Sequence, residues 1–115
     1  MIIYRLEHPR TGLGPYNHFN LKSRPRIISK MCRDHSRSMF YQAAHEVFDG
    51  AFTYYHFCGF EHYYQLRRWF GKYYNYLVKL GFRITKYRVD KERVESNRYQ
   101  AIFRKDKSWS KKYTV

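Results

Sequence analysis

Residues 62–80 carry apolar side chains at steps of three and four. The members of this stripe are Leu66, Trp69, Phe70, Tyr73, Leu77 and Leu80. Such spacing places them on one face of an amphipathic helix. Gly81 stands where a left-handed C-terminal cap is expected, and Gly71 falls inside the helix, where glycine costs about 1 kcal/mol relative to alanine. A helix of this kind has to pack its apolar face against another layer.

Strands are predicted on both sides of this helix. Residues 2–7 have the β-branched and aromatic enrichment of a strand that begins close to the first residue. Residues 82–89 also alternate, but the parity of the apolar positions changes between Ile84 and Tyr87. A β-bulge would produce such a change, and we expect one there.

The C-terminal third predicts one further strand. Residues 98–104 alternate cleanly, which places Tyr99, Ala101 and Phe103 on one face. The polar segment Asp90–Asn97 is expected to join this strand to the preceding one as a hairpin. Residues 51–60 fit either a strand or an aromatic loop packed on the core.

A second, shorter helix is expected at about residues 38–48, ending at Asp49-Gly50. Apolar positions upstream of it nearly continue a helical stripe, with His35 as the weak member. The elements together predict an α+β domain at 1–104, with a small three- to four-stranded, mostly antiparallel sheet packed against the main helix. Residues 105–115 are expected to form a basic, mobile tail.

The aromatic content explains how so charged a chain can fold. The sequence holds 13 Tyr, 9 Phe and 2 Trp among 115 residues, against a formal net charge of +14. Disordered chains are poor in aromatic residues, so a packed core is expected. Two cysteines make no disulfide framework and suit a reducing compartment. Neither a membrane span nor a signal peptide is recognisable, so we expect a cytoplasmic protein, located in the host cytoplasm if it is viral.

The positive charge is concentrated in three segments. They are residues 22–37, residues 62–88, which contain no acid, and residues 104–112. Three such segments indicate a continuous positive surface, for which a phosphate backbone is the commonest partner. The predicted anion-contact residues are Arg24, Arg26, Arg67, Arg68, Lys72, Arg83 and Lys86.

Tyrosines are more numerous than one helical stripe can bury. The surplus comprises Tyr54, Tyr55, Tyr63, Tyr64, Tyr74 and Tyr76. Any that is exposed beside Arg or Lys could stack on an unpaired base, whereas a large tyrosine-rich core would bury them. No zinc-finger spacing, RNP-type strand motif or Gly-x-x-Gly clamp is present, so the sequence supports backbone-dominated binding and no base-specific readout.

Catalytic and metal sites find little support. His56-x-Cys58-x-x-x-His62 has the right atoms for zinc but matches no familiar closed site, so a buried thiol is preferred. No acid is placed to orient His56 beside Cys58 for nucleophilic catalysis. The turn from Gly12 to Pro15 is no phosphate cradle and is expected to position Tyr16. We therefore expect neither a cofactor nor a metal, and we favour a binding protein over an enzyme.

Short motifs spread over residues 4–103 resemble a known group of proteins. They are Tyr4-Arg5-x-Glu7, Gly12-x-Gly14-Pro15-Tyr16, Phe57-x-Gly59-Phe60, Gln65, Trp69-Phe70, Gly81-Phe82, Tyr87 and Gln100-x-x-Phe103. The pattern is similar to that of small accessory proteins encoded by tailed bacteriophages and prophages. This resemblance implies a viral protein that acts inside the infected bacterium, without assigning it an activity.

The same elements also resemble the layout of a reduced ADP-ribosyltransferase. That resemblance implies a ligand cluster of Arg5, Tyr16 and Gln100, in which Arg5 would hold the phosphates of NAD and a tyrosine would stack on nicotinamide. Gln100 stands nearest to the position where the catalytic glutamate is expected. Its presence argues against transfer chemistry and is compatible with ligand binding. Alternatively, Arg5, Glu7 and Gln100 form a polar cluster across neighbouring strands.

Three hypotheses follow for the function. The first is a basic module that binds nucleic acid or a host nucleoprotein. The second is an inhibitor that presents its cationic surface to an acidic face of a host enzyme or defence complex. The third is the nucleotide-binding enzyme just described.

Overall fold

A computed structural model of the chain describes residues 1–17, 26–36, 48, 56–104 and 111–114. The helices are α1 (Arg26–Ser36), α2 (Tyr63–Phe70) and α3 (Tyr74–Lys79), with 3-10 turns at Pro15–Asn17, Gly71–Tyr73 and Lys91–Arg93. The strands are β1 (Ile2–Glu7), β2 (His56–Gly59), β3 (Arg83–Arg88), β4 (Val94–Ser96), β5 (Ala101–Arg104) and β6 (Lys111–Thr114). The predicted α+β class is confirmed.

The strands form two antiparallel sheets of three strands each rather than the single sheet expected. One sheet has the order β1-β3-β6 and the other β2-β5-β4. A single antiparallel bridge joins them, in which the amide of each of Tyr4 and Phe60 donates to the carbonyl of the other at 2.7 and 2.8 Å. This bridge places the end of β2, and the start of α2 that follows it, against β1.

Both faces of the β1-β3-β6 sheet are covered. Leu6 and Ile84 pack with α1, α2 and α3 in the larger core cluster. On the other face, Ile3 and Tyr87 pack with Phe103 of the second sheet. The molecule therefore has three layers, with helices on one side of the first sheet and the second sheet on its other side.

The two covered faces explain the change of apolar parity in β3. The register between β1 and β3 is unbroken from Glu7↔Arg83 to Ile2↔Arg88. The predicted bulge is therefore wrong. Ile84 and Tyr87 are both buried because they point to opposite faces, each of which has its own core.

The main helix is interrupted at Gly71. This residue has a φ of +49° and separates α2 from α3 by one 3-10 turn. A Cβ atom there would meet nothing within 4 Å, so the glycine serves the backbone conformation and not a close contact. The predicted cap at Gly81 is present: the amide of Phe82 donates to the carbonyl of Leu77, and that of Gly81 to the carbonyl of Val78.

The expected hairpin between β3 and the last predicted strand is wrong. These strands belong to different sheets, and β5 pairs instead with β4, which lies within the segment predicted as a connection. β6 lies within the predicted tail and pairs with β3. The helix expected at 38–48 falls almost wholly outside the described residues, whereas the weaker upstream stripe forms α1.

Candidate nucleic-acid interface

The helical segment 63–79 presents one exposed stripe, which we call the outer helix face. Its members are Tyr64, Arg68, Lys72, Tyr76 and Lys79. They recur at steps of three and four opposite the buried stripe that contains Leu66, Tyr73 and Leu77. Because the buried stripe packs on the sheet and α1, the outer helix face points to solvent. It combines two tyrosines with three cationic side chains.

A groove, which we call the basic groove, runs between α1 and the C-terminal half of this face. Its volume is about 510 Å³, and its lining includes three lysines, Lys30, Lys72 and Lys79. Tyr73 and Tyr76 lie between them. Lys72 Nζ is 5.3 Å from the ring centroid of Tyr73, and Lys79 Nζ is 5.8 Å from that of Tyr76. Cations held against aromatic rings in a concave site suit an anionic ligand.

One carboxylate lies near the basic groove. Asp34 accepts a hydrogen bond from the hydroxyl of Tyr73. This bond lowers the pKa of Asp34, and the nearby charges of Lys72, Lys30 and Arg33 lower it further. Three cations therefore surround one carboxylate that is already hydrogen-bonded within the protein, and the local charge remains positive.

A second recess, which we call the aromatic cleft, lies at the N-terminal half of the outer helix face. It has a volume of about 360 Å³ and is lined by Tyr64, Gln65, Arg68, Arg98 and Tyr99. This lining combines two tyrosines with two arginines, and none of its described residues is an acid. The cleft and the basic groove follow one another along the chain, because Arg68 of the cleft lies in α2 and Lys72 of the groove lies in the 3-10 turn that follows it.

Two predicted anion-contact residues lie away from the outer helix face: Arg67 is on another side of α2, and Lys86 is in β3. The Arg67 guanidinium carbon is 3.9 Å from the ring centroid of Tyr74, and its Nη1 donates to the hydroxyl of Tyr63 at 2.8 Å. Lys86 lies 5.8 Å from the ring of Tyr4. Both cations thus lie against tyrosine rings beside the first sheet.

The remaining predicted contacts are more scattered. Arg83 donates from Nη1 to the carbonyls of Val78 and Phe82 at 2.8 and 2.7 Å, at the C-terminal end of α3. Arg26 is exposed at the first residue of α1. Arg24 lies outside the described residues. Among the described residues, the structure therefore brings only Arg68 and Lys72 of the predicted set onto the outer helix face.

Sequence reasoning missed Lys30, Lys79 and Arg98 as members of the two recesses. Lys30 could be assigned to the basic groove only once α1 was known to pack beside α3. Arg98 is placed by a loop in which Asn97 Oδ1 accepts the amides of Tyr99 and Gln100 at 2.8 and 2.9 Å. The side chain of Asn97 was a readable signal for this turn.

The predicted ligand residue Arg5 is buried, with 6% of its surface exposed. Its Nε donates to Glu7 Oε2 at 3.0 Å, and its two terminal nitrogens donate to the carbonyls of Cys58 and Gly12 at 2.8 and 3.2 Å. The hydroxyl of Tyr87 donates to both oxygens of Glu7. Arg5 is thus engaged within the protein, in a polar cluster of the kind considered as the alternative.

Tyr16 and Gln100 occupy other surroundings. Trp69 Nε1 donates to the hydroxyl of Tyr16 at 2.7 Å, and that hydroxyl pairs with Nδ1 of His35. Burial lowers the pKa of His35 to about 4, while the charge of Asp34 opposes this shift. His35 is therefore neutral at pH 7, and its Nδ1 shares a hydrogen bond with the Tyr16 hydroxyl. Gln100 is buried, at the residue before β5.

In the described part of the chain, no three His, Cys, Asp or Glu side chains are grouped so that they could hold a metal ion. Among the same residues, no helix has the length and apolar character needed to cross a membrane.

A family model described as Bacteriophage T4 Y00F protein matches residues 1–114. The chain belongs to this family. Membership in the Y00F family confirms the phage-encoded protein that the resemblance implied. No curated protein and no solved structure matches the chain significantly.

Proposed function

We propose that this phage protein binds nucleic acid inside the infected cell, through phosphate contacts along the outer helix face. The observation that carries the proposal is the basic groove, where Lys30, Lys72 and Lys79 line one recess. Lysines that contact phosphates neutralise them and release counterions, and this release is the main source of affinity in sequence-independent binding.

The formal net charge supports the same reading. A charge of +14 on 115 residues repels itself in the compact state, and a polyanion relieves that repulsion. The outer helix face combines tyrosines with cations, a combination typical of surfaces that bind a nucleic-acid strand. The described residues that line the two recesses include lysines and arginines for phosphate contacts and tyrosine rings for stacking.

The experiment is a fluorescence-anisotropy titration of the full chain with a labelled duplex at 50 and 200 mM salt. Three neutralised phosphates give a slope of about −2.7 in log affinity against log salt, or roughly 40-fold weaker binding at the higher salt. Absence of binding at 50 mM salt to both this duplex and a labelled single strand, or equal affinity at both salt concentrations, contradicts the proposal.

An acidic host protein is the competing partner. Capture from a host lysate, with and without nuclease treatment, distinguishes the two. Nucleic-acid binding predicts that captured material is lost after nuclease treatment. A protein partner that is retained equally after that treatment, together with no affinity for the purified duplex, contradicts it.

A further inference from the structure

The aromatic cleft contains a tyrosine that the fold hardly uses. Tyr64 is 64% exposed, and its ring lies nearly parallel to that of His62, with an interplanar angle of 12° and centroids 5.3 Å apart. A ring so exposed adds little to the core. The stack on His62 limits its orientations, as a surface that receives another flat ring requires.

Cations flank this ring inside the same cleft. Arg68 follows Tyr64 by one helical turn, and Arg98 approaches from the loop before β5. A nucleotide offers a flat base and a phosphate within a few ångströms of each other. The cleft offers the matching pair, an aromatic surface with guanidinium groups beside it.

The loop that carries Arg98 is fixed to the helix before any ligand arrives. Gln65 Nε2 donates to the carbonyl of Arg98 at 3.0 Å, and Gln65 Oε1 accepts the amide of His62 at 3.0 Å. One side chain thus connects the start of α2 to the opposite wall of the cleft. A cleft that is already formed loses less entropy when a ligand binds.

We propose that the aromatic cleft holds an unpaired base of single-stranded nucleic acid, with Tyr64 as the stacking surface and Arg68 and Arg98 as phosphate contacts. This inference rests on the proposed function and names its preferred substrate. Bases of a duplex are stacked inside the helix and cannot reach Tyr64, so the cleft favours single strands over duplex.

The two recesses act on one continuous strand. The cleft lies at α2, and the basic groove lies beyond the 3-10 turn at Gly71–Tyr73, which separates α2 from α3. A strand that places one base in the cleft continues past Arg68 and Lys72 into the basic groove.

The test compares Tyr64→Leu with the matched control Tyr64→Phe, which keeps the ring. Each variant of the full chain is titrated with a labelled single strand of about 12 nucleotides, within the usual range of site sizes. The same-length duplex and an abasic strand of equal charge serve as further probes. Loss of one stacked base predicts single-strand affinity about 5- to 150-fold weaker for Tyr64→Leu. Tyr64→Phe is expected to bind as the unmodified protein does.

The other probes separate stacking from electrostatics. Duplex affinity is expected to be unchanged in Tyr64→Leu, and the abasic strand is expected to bind the unmodified protein more weakly than the normal strand. Equal single-strand affinity of Tyr64→Leu and Tyr64→Phe overturns the stacking site while leaving the proposed function intact. Failure of the unmodified protein to bind any of the probes overturns both.

Discussion

Arg5 and Glu7 form an ion pair in the interior of the three-layered fold, with Nε and Oε2 3.0 Å apart and side chains only 8% and 1% exposed. The two residues lie on the same face of β1, two positions apart. Each has further partners: carbonyls of β2 and of the turn after β1 for Arg5, and the hydroxyl of Tyr87 for Glu7. The pair thus ties β1 to three other segments from inside the core.

Removing the arginine from this pair leaves a buried, poorly compensated carboxylate. Arg5→Met is expected to lower the free energy of unfolding by about 3–5 kcal/mol, because the buried Glu7 loses its cationic partner. Urea denaturation of the variant measures this loss. A change below about 1 kcal/mol contradicts the described cluster.

The matched double variant tests whether the loss comes from the unpaired charge. Arg5→Met combined with Glu7→Leu removes both charges, and it is expected to be more stable than Arg5→Met alone. Burial raises the pKa of Tyr87, with Glu7 adding to the shift, so this hydroxyl stays protonated and loses its acceptor in the double variant. We therefore expect partial and not complete recovery.

Gly59 is required where the second sheet crosses β1. A Cβ atom there would lie 2.6 Å from Cγ2 of Ile3 and 2.9 Å from the carbonyl oxygen of Tyr4. That oxygen accepts the amide of Phe60 in the bridge between the sheets, so it cannot move freely. Gly59→Ala is expected to cost about 1–3 kcal/mol or more through overpacking.

Gly14 provides the control for this substitution. Its nearest neighbours to a Cβ atom are at ordinary contact distances, 3.5 Å from Nη2 of Arg5 and 3.6 Å from the carbonyl oxygen of Leu6. Gly14→Ala is expected to change stability by less than about 1 kcal/mol. Thermal unfolding of both variants checks the comparison, and equal losses contradict the close approach at Gly59.

His35 makes the stability depend on mildly acidic pH. Burial lowers the pKa of His35 in the native protein to about 4, from its usual value of 6.5. Between these two pH values His35 is protonated in the unfolded chain but neutral in the native protein. Stability is therefore constant above about pH 6.5 and falls as the pH is lowered to about 4, by at most about 1.4 kcal/mol per pH unit from this group.

His35→Gln isolates this contribution. Glutamine keeps an acceptor for the Tyr16 hydroxyl but does not titrate, so the free energy of unfolding should vary less between pH 6.5 and 4. The pKa of His56 is also lowered, mainly by burial, so His56→Gln is the control. A pH dependence that His35→Gln leaves unchanged, and that His56→Gln removes, contradicts the role of His35.

The main elements of the fold could be predicted because their signals are local. The stripe from Leu66 to Leu77 has the helical period, and Gly81 marks its end. The patterns of β1, β3 and β5 indicated strands but not their partners, and β4 and β6 lie in segments predicted as a connection and a tail. β3 is buried on both faces, and nothing local in its sequence shows that it pairs with β1 while β5 pairs elsewhere.

The candidate site was only partly predictable for a related reason. Arg68 and Lys72 follow from the helical period, since they lie off the apolar stripe. Lys30 joins them only through the packing of α1 beside α3, a contact between segments far apart in sequence. Arg5 was predicted as a ligand contact, but the fold buries it. Its guanidinium donates to Glu7 and to the carbonyl of Cys58, and the sequence alone does not show these partners.

The basic groove can be tested by neutralising its three lysines. The combined change Lys30→Gln, Lys72→Gln and Lys79→Gln is compared with Arg10→Gln, Arg88→Gln and Lys91→Gln. The control removes the same charge from exposed residues that do not line the groove. Circular dichroism of both variants checks that each keeps its fold.

The most direct measurement is the salt dependence of duplex binding by these two variants. Each lysine that contacts a phosphate contributes about 0.9 to the slope of log affinity against log salt. The groove variant is expected to lose up to about 2.7 of the slope, and the control variant to keep nearly all of it. Equal slopes for the two variants would contradict phosphate binding in the basic groove.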